Sequence, residues 1–207
     1  MKKANAKNRL IAVAVMVLCI LVAIPLGART ALARGDDAAV NAFFDDGVYD
    51  TLTADAELAG NILRSSKVIV QDMKNYSGIG ELQLAQQELE TAYRRYESSL
   101  AKNTAGRGTV IKMVGAYNGF HRAVLNWLDA ADAAIASEGG DYATYTTFAA
   151  KFRANHNLLL YSDYNAEAGA YNLLFEEPVL RVLHGVTFLG ELPLLVEDTV
   201  VIEEIVR

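Results

Sequence analysis

The absence of proline from residue 26 to residue 177 is the feature that most restricts how this chain can fold. The three prolines stand at Pro25, Pro178 and Pro193, and the stretch between the first two is rich in Ala, Leu, Glu and Gln. These four residue types favour helices, whereas proline breaks a helix interior. The sequence therefore predicts long α-helices that build one domain with its own core.

Apolar residues at three- and four-residue steps predict four long helices in this stretch. We expect these helices at about 37–76, 82–102, 109–137 and 141–174. Gly47 is expected to weaken the first of them without ending it. A short fifth helix is predicted from Pro178 to His184, because proline suits the first position of a helix. The predicted fold class is all-α: an elongated antiparallel bundle of four long helices plus a short fifth helix.

An apolar run without charged residues, Leu10 to Leu26, precedes the predicted bundle, and two further small residues extend it to Ala28. At about 1.5 Å per helical residue the run covers roughly 26 Å, close to the roughly 30 Å hydrocarbon layer of a bilayer. The sequence therefore predicts a single transmembrane helix at 10–28. The alternative interpretation is a signal peptide cleaved near Ala33, because Ala31-Leu32-Ala33 has the small-x-small form of a cleavage site.

Charge is distributed unevenly along the chain. The first 34 residues contain six basic residues and no acidic one, whereas the rest holds 13 basic and 25 acidic residues, a net charge of −12. Four of the six basic residues precede the apolar run, which favours a cytoplasmic N-terminus and a domain outside the cytoplasm. The acidic domain argues against nucleic acid as a partner, since phosphates would repel it.

These arguments divide the chain into five parts. They are a cytoplasmic N-terminus at 1–9, a membrane anchor at 10–28, a juxtamembrane spacer at 29–36, the helical bundle domain at 37–188 and a Val- and Ile-rich tail at 189–207.

Residues that could carry chemistry are few. The histidines, His121, His156 and His184, are far apart in the sequence, and none has the Glu three positions earlier that di-iron bundles require. His121 falls on the apolar stripe of the third predicted helix, which indicates a core histidine. Motifs for acyl transfer, phosphate binding and zinc proteolysis are missing from the sequence. We expect no catalytic residue, metal or cofactor; a hydrolase would need two converging carboxylates, such as Glu57 and Glu167.

The most specific pattern is Tyr164-Asn165 followed seven residues later by Tyr171-Asn172. Seven residues make two helical turns, so both tyrosines share one face and both asparagines an adjacent one. Asparagine is a poor residue in a helix interior, because its amide competes for backbone groups. The pair therefore predicts hydrogen bonds between helices that fix their register, with a polar ligand groove as the alternative.

This repeat, together with residues before and after it, resembles the LemA family of bacterial membrane proteins. The positions that carry the resemblance are Glu57, Leu58, Asn61, Asn155, Tyr164, Asn165, Tyr171, Asn172 and Gly185. The chain departs from the family at Gly60, where proline is usual, at Ala54 and Asp55, which replace an arginine pair, and at Glu176, which replaces a proline. The resemblance implies an antiparallel helical bundle on one N-terminal membrane helix, and it implies no established activity.

The sequence thus predicts a non-enzymatic, membrane-anchored interaction or scaffold protein of the bacterial envelope, with an envelope protein or a second copy of the chain as partner. The alternative is a sensory or ligand-binding module in which Asn61, Asn165 and Asn172 line a polar groove.

Overall fold

The computed structural model describes residues 26–100, 105–177 and 189–196. Helix α1 comprises residues 26–45, and the elements that follow are α2 (Val48–Asp72), α3 (Ile79–Leu100), α4 (Arg107–Glu138), α5 (Ala143–Leu160), α6 (Asp163–Leu173) and a 3-10 turn at Leu174–Glu176. No strand occurs in these three ranges, so the all-α prediction is confirmed.

Helices α2 to α5 form an antiparallel bundle in which α3 packs against α4 and α2 packs against both α3 and α5. The direction of the helices follows from contacts between their ends. Tyr96, near the end of α3, donates its hydroxyl to the carbonyl oxygen of Leu52 at the start of α2. Tyr145, at the start of α5, donates to the Asp132 carboxylate late in α4 at 2.9 Å. The predicted helical bundle is thereby confirmed.

The core is built from the predicted apolar stripes and contains many aromatic side chains. The largest side chains without solvent contact are Trp127, Tyr96, Tyr117, Tyr164, Phe43, Phe120 and Phe152. The rings of Tyr96 and Phe120 stack at 5.0 Å between centroids, and Phe152 of α5 meets Phe120 edge-on at 6.0 Å. Ring packing therefore joins α3, α4 and α5 at one level of the bundle.

Two of the predicted long helices are interrupted, so the predictions of single helices at 37–76 and 141–174 are wrong. Gly47 separates α1 from α2 and takes a left-handed backbone conformation with φ 78°, which an α-helix does not contain. Ser162 separates α5 from α6, and its hydroxyl accepts the backbone N–H of Asn165 as an N-cap.

The two interruptions lie beside each other. Asp45, the last residue of α1, and Asp46, which follows it, line the same surface cleft as Asp163, the first residue of α6. Phe43 of α1 meets Tyr164 of α6 at 5.3 Å between ring centroids. Helix α1 therefore pairs with α6 as a continuation of the pair formed by α2 and α5.

Residues 29–36, predicted as a spacer, are part of α1 and pack against the bundle. Leu32 is fully buried, and Gly35 lies so close to the Tyr171 ring that an added Cβ would meet it at 3.0 Å. Within the described ranges, no helix is both long enough and apolar enough to cross a membrane.

Several predictions lie outside the described residues. They are the N-terminus at 1–9, all of the anchor except its last three positions, the short fifth helix from Pro178 to His184, the motif position Gly185, and the tail from residue 197.

Candidate functional site

A carboxyl group lies in the centre of the bundle. Asp55 stands on the buried stripe of α2 with no exposed surface. Its carboxylate accepts the Tyr117 hydroxyl of α4 at 2.8 Å and the Asn155 amide of α5 at 2.6 Å. Burial raises the pKa of Asp55, and the two hydrogen bonds oppose that rise. The side chain thus joins three helices through one polar contact point.

A pair of histidines lies beside this carboxyl in the same interior layer, because His121 packs against the Tyr117 ring at 5.7 Å. Nε2 of His121 and Nδ1 of His156 are 3.0 Å apart, and the two rings stack with 4.9 Å between centroids. Burial and the neighbouring His156 lower the pKa of His121 to about 3, and burial also lowers the pKa of His156. Both rings are therefore neutral at neutral pH, with one N–H donated between them.

A second polar site lies on the outside of α4 and α6, where three asparagine side chains hold residues 189–196. We call these residues the docked segment, and we call the surface formed by Asn118, Asn165, Asn172, Tyr164 and Tyr171 the asparagine groove. The docked segment has no helical or strand structure. It lies in the groove with Leu192, Leu195 and Val196 almost fully buried.

Each asparagine amide donates one hydrogen bond to the backbone of the docked segment and accepts another. The donations run from Asn118 to Leu194 O at 2.7 Å, from Asn165 to Leu195 O at 3.0 Å and from Asn172 to Leu192 O at 2.8 Å. In return, Asn118 accepts a hydrogen bond from Val196 N at 2.9 Å, Asn165 accepts one from Leu195 N at 2.8 Å, and Asn172 accepts one from Leu192 N at 2.8 Å. The side-chain amides thus take the place that a neighbouring β-strand would have.

The tyrosines of the groove add two further bonds to backbone carbonyls. The Tyr164 hydroxyl donates to Pro193 O at 2.6 Å, and the Tyr171 hydroxyl donates to Gly190 O at 3.1 Å. The Arg107 guanidinium closes this end of the groove: it donates to Gly190 O and pairs with the Asp36 carboxylate of α1. It also lies over the Tyr171 ring, 5.5 Å from its centroid.

The predicted bonds between helices occur for Asn165 but not for Asn172, whose described amide contacts are only with Leu192 of the docked segment. Asn165 makes two further bonds, to the carbonyls of Leu159 and Leu160 at the end of α5. Both tyrosines of the repeat are buried on one face, as predicted.

The remaining predicted positions are spread over the bundle. Asn61 bonds to Arg64 on the same helix and has no described hydrogen bond to the groove. Glu57 is exposed and Leu58 lies at the core edge. Glu167 lines the acidic cleft beside the helix interruptions, and Glu57 does not line it. Within the ranges the structure describes, no three His, Cys, Asp or Glu side chains are grouped to hold a metal ion.

Sequence reasoning missed Asp55 and Asn118, although the sequence contains a signal for each. The buried stripe of α2 steps from Leu52 to Ala59, and Asp55 fills the gap in the three- and four-residue spacing. Asn118 follows Tyr117 and so forms a third Tyr-Asn dipeptide. All three dipeptides place the tyrosine in the core and the asparagine in the groove.

Comparisons of the chain with family models, curated proteins and solved structures gave no match. Over the described ranges, the fold and the site define a helical-bundle protein in which a polar groove holds a segment without helical or strand structure.

Proposed function

We propose that this chain is a membrane-anchored, non-enzymatic interaction protein, a divergent relative of the LemA family that presents its bundle to protein partners at the bacterial envelope. Residues 10–28 form the anchor in this proposal, with the N-terminus in the cytoplasm and the bundle outside it.

One observation carries the proposal: the asparagine groove holds the backbone of residues 189–196 of the same chain. Three side-chain amides and two tyrosine hydroxyls are directed at backbone groups, and backbone groups are common to every protein. The interior polar groups support the same interpretation. Asp55 and Tyr117 are fully buried and Asn155 is half-buried; Tyr117 and Asn155 both donate to the Asp55 carboxyl, so this polar group joins three helices of the bundle.

The test is crosslinking in intact native cells, followed by purification of the tagged full chain and mass spectrometry of its adducts. We expect the same envelope protein to co-purify with the tagged chain in replicate experiments. It should be absent from the sample purified in the same way from cells that express an untagged copy. Adducts of the chain with itself alone, or none, would contradict the proposal. So would turnover of an envelope substrate that a single substitution abolishes.

A further inference from the structure

We propose that the asparagine groove is a peptide-binding site that accepts an extended segment of a partner protein, and that the docked segment occupies it as an internal competitor. This inference rests on the proposed function and names the chemistry of the partner: an extended peptide with the apolar pattern Leu-Pro-x-Leu-Val.

The groove recognises backbone more than side chains. Every polar contact that the three asparagines make with the docked segment is to a backbone N–H or C=O, in the manner of a strand added to a sheet edge. Proline at position 193 removes one N–H, and the structure gives its carbonyl a partner in Tyr164. A second peptide with the same extended backbone would meet the same donors and acceptors.

Side-chain selectivity comes from three buried positions of the docked segment. Leu192, Leu195 and Val196 are 1 %, 0 % and 2 % exposed, whereas Glu191 is exposed. Apolar residues are thus required at the first, fourth and fifth positions of a ligand, and other positions tolerate variation. A short linear motif meets these requirements.

The groove is preorganised by the core. Each groove asparagine follows a fully or almost fully buried tyrosine, Tyr117, Tyr164 or Tyr171, and two different helices supply them. The buried tyrosines therefore fix the backbone that carries the three asparagines, and the bonds to Leu159 O and Leu160 O hold the Asn165 amide independently of the docked segment.

The docked segment, in contrast, ends in a strained conformation. Val196 has φ 60°, a left-handed backbone that β-branched residues rarely adopt, and its N–H is held by Asn118. Such strain persists only where surrounding contacts impose it and is found at ligand clamps and switches. The strain opposes the hydrogen bond between Val196 N and Asn118 and so weakens the binding of the last residue of the docked segment.

The test uses the full chain in detergent micelles and a fluorescein-labelled peptide of residues 189–196. The variant Leu192→Asp with Leu195→Asp withdraws the docked segment, because charged side chains oppose burial at both positions. In fluorescence anisotropy we expect this variant to bind the peptide saturably, at least about tenfold more tightly than the wild-type chain does, since the wild-type segment competes.

Two matched controls define the site. A peptide with the same two aspartates should not bind. Adding Asn165→Ala and Asn172→Ala to the variant should weaken peptide binding by at least about tenfold, because four backbone hydrogen bonds are lost. If the variant keeps its helical circular dichroism and a cooperative melt but does not bind the peptide, the docked segment is only a structural part of the fold and the inference is wrong.

A second measurement covers the case in which the variant does not fold. Hydrogen exchange of the wild-type chain should accelerate at the amides of Leu192, Leu195 and Val196 when millimolar peptide is added, and it should stay unchanged with the aspartate peptide. Unchanged exchange with both peptides would overturn the inference.

The crosslinking experiment separates this inference from the proposed function. If the chain with Asn165→Ala and Asn172→Ala yields the same envelope adducts as the wild type, the interaction stands and the groove assignment fails. If neither chain yields an adduct, the proposed function fails. A dimer that forms in the wild type and is lost in the asparagine variant would assign the groove to a second copy and overturn the assignment to a partner protein.

Discussion

A buried carboxylate needs donors, and Asn155 supplies one of the two that reach Asp55. Asn155→Ala removes that donor and leaves the buried carboxyl with Tyr117 as its one described donor. We expect the free energy of unfolding to fall by about 1–3 kcal/mol. The control is Asn126→Ala at an exposed position of α4, with a change within about 0.5 kcal/mol. Urea unfolding followed by circular dichroism measures both; equal losses would contradict the role given to Asn155.

The histidine pair makes stability depend on pH. The pKa of His121 falls from 6.5 in the unfolded chain to about 3 in the fold, so between these values the unfolded chain binds more protons. Stability is therefore full above about pH 6.5 and is lost as the pH falls toward 3. His156, whose pKa is also lowered, acts in the same direction.

His121→Phe should reduce this acid sensitivity. The phenylalanine ring still packs against Phe152, which stacks on His121 at 5.1 Å, but one of the two groups that titrate is gone. We expect lower stability than wild type at pH 8, because His156 loses its hydrogen-bond partner, and a smaller further loss between pH 7 and pH 4. Asp55, whose pKa is raised, stabilises the fold as the pH falls. Because both proteins contain Asp55, its contribution does not affect the difference between their curves. Parallel pH curves for the melting temperature of the two proteins would refute the assignment.

At the scale of elements, the spacing of apolar residues predicted the position and the buried face of the helices that pack against other helices. The helices α3 and α4 lie close to the predicted ranges, and the stripes of α2 and α4 form the core. The spacing continues through Gly47 and through Ser162, so it gave no sign of either interruption. The spacing of apolar residues indicates which face of a helix is buried. A residue in a left-handed conformation or an N-cap changes the direction of the chain, but the apolar residues on either side of it can keep the same spacing.

Periodicity predicted only one of the partners of the asparagine repeat, the end of α5. Two amides at heptad spacing indicate a partner that runs along the helix, and a second helix is the usual one. The docked segment also runs along α6, in extended form, and nothing in the helical spacing of Tyr164-Asn165 and Tyr171-Asn172 distinguishes the two partners. The third dipeptide, Tyr117-Asn118, lies on another helix, and only the fold joins it to the groove.

The interruption at Gly47 leads to a prediction about backbone conformation. A Cβ at this position would meet nothing within 4 Å, so Gly47→Ala introduces only the cost of a left-handed conformation, about 1–2 kcal/mol. Gly115→Ala is the matched control: it lies inside α4, also in open space, and should stabilise by about 0.5–1 kcal/mol. Thermal melts of the two variants should shift in opposite directions, and a shared direction would contradict the assigned break.

At the scale of the whole molecule, the two ends of the chain differ in charge and in the side of the membrane proposed for them. The bundle is acidic, and its exposed carboxylates include Asp45, Asp163 and Glu167 around one cleft. The basic residues before residue 10 are the ones that the positive-inside bias retains in the cytoplasm. The groove would then face partners outside the cytoplasm.

Cysteine labelling tests this arrangement, because Cys19 is the only cysteine and Cys19→Ser gives a background without thiols. In that background we introduce Lys3→Cys before the anchor or Ser137→Cys at the exposed end of α4. A membrane-impermeant maleimide should label Ser137→Cys in intact spheroplasts and Lys3→Cys only after permeabilisation. The reverse pattern would place the bundle in the cytoplasm and remove the envelope from the proposed function. If the Ser137→Cys chain is recovered in the supernatant after the membranes have been sedimented, the result would instead favour cleavage near Ala33. The asparagine groove would then bind its partners on a protein that is not attached to the membrane.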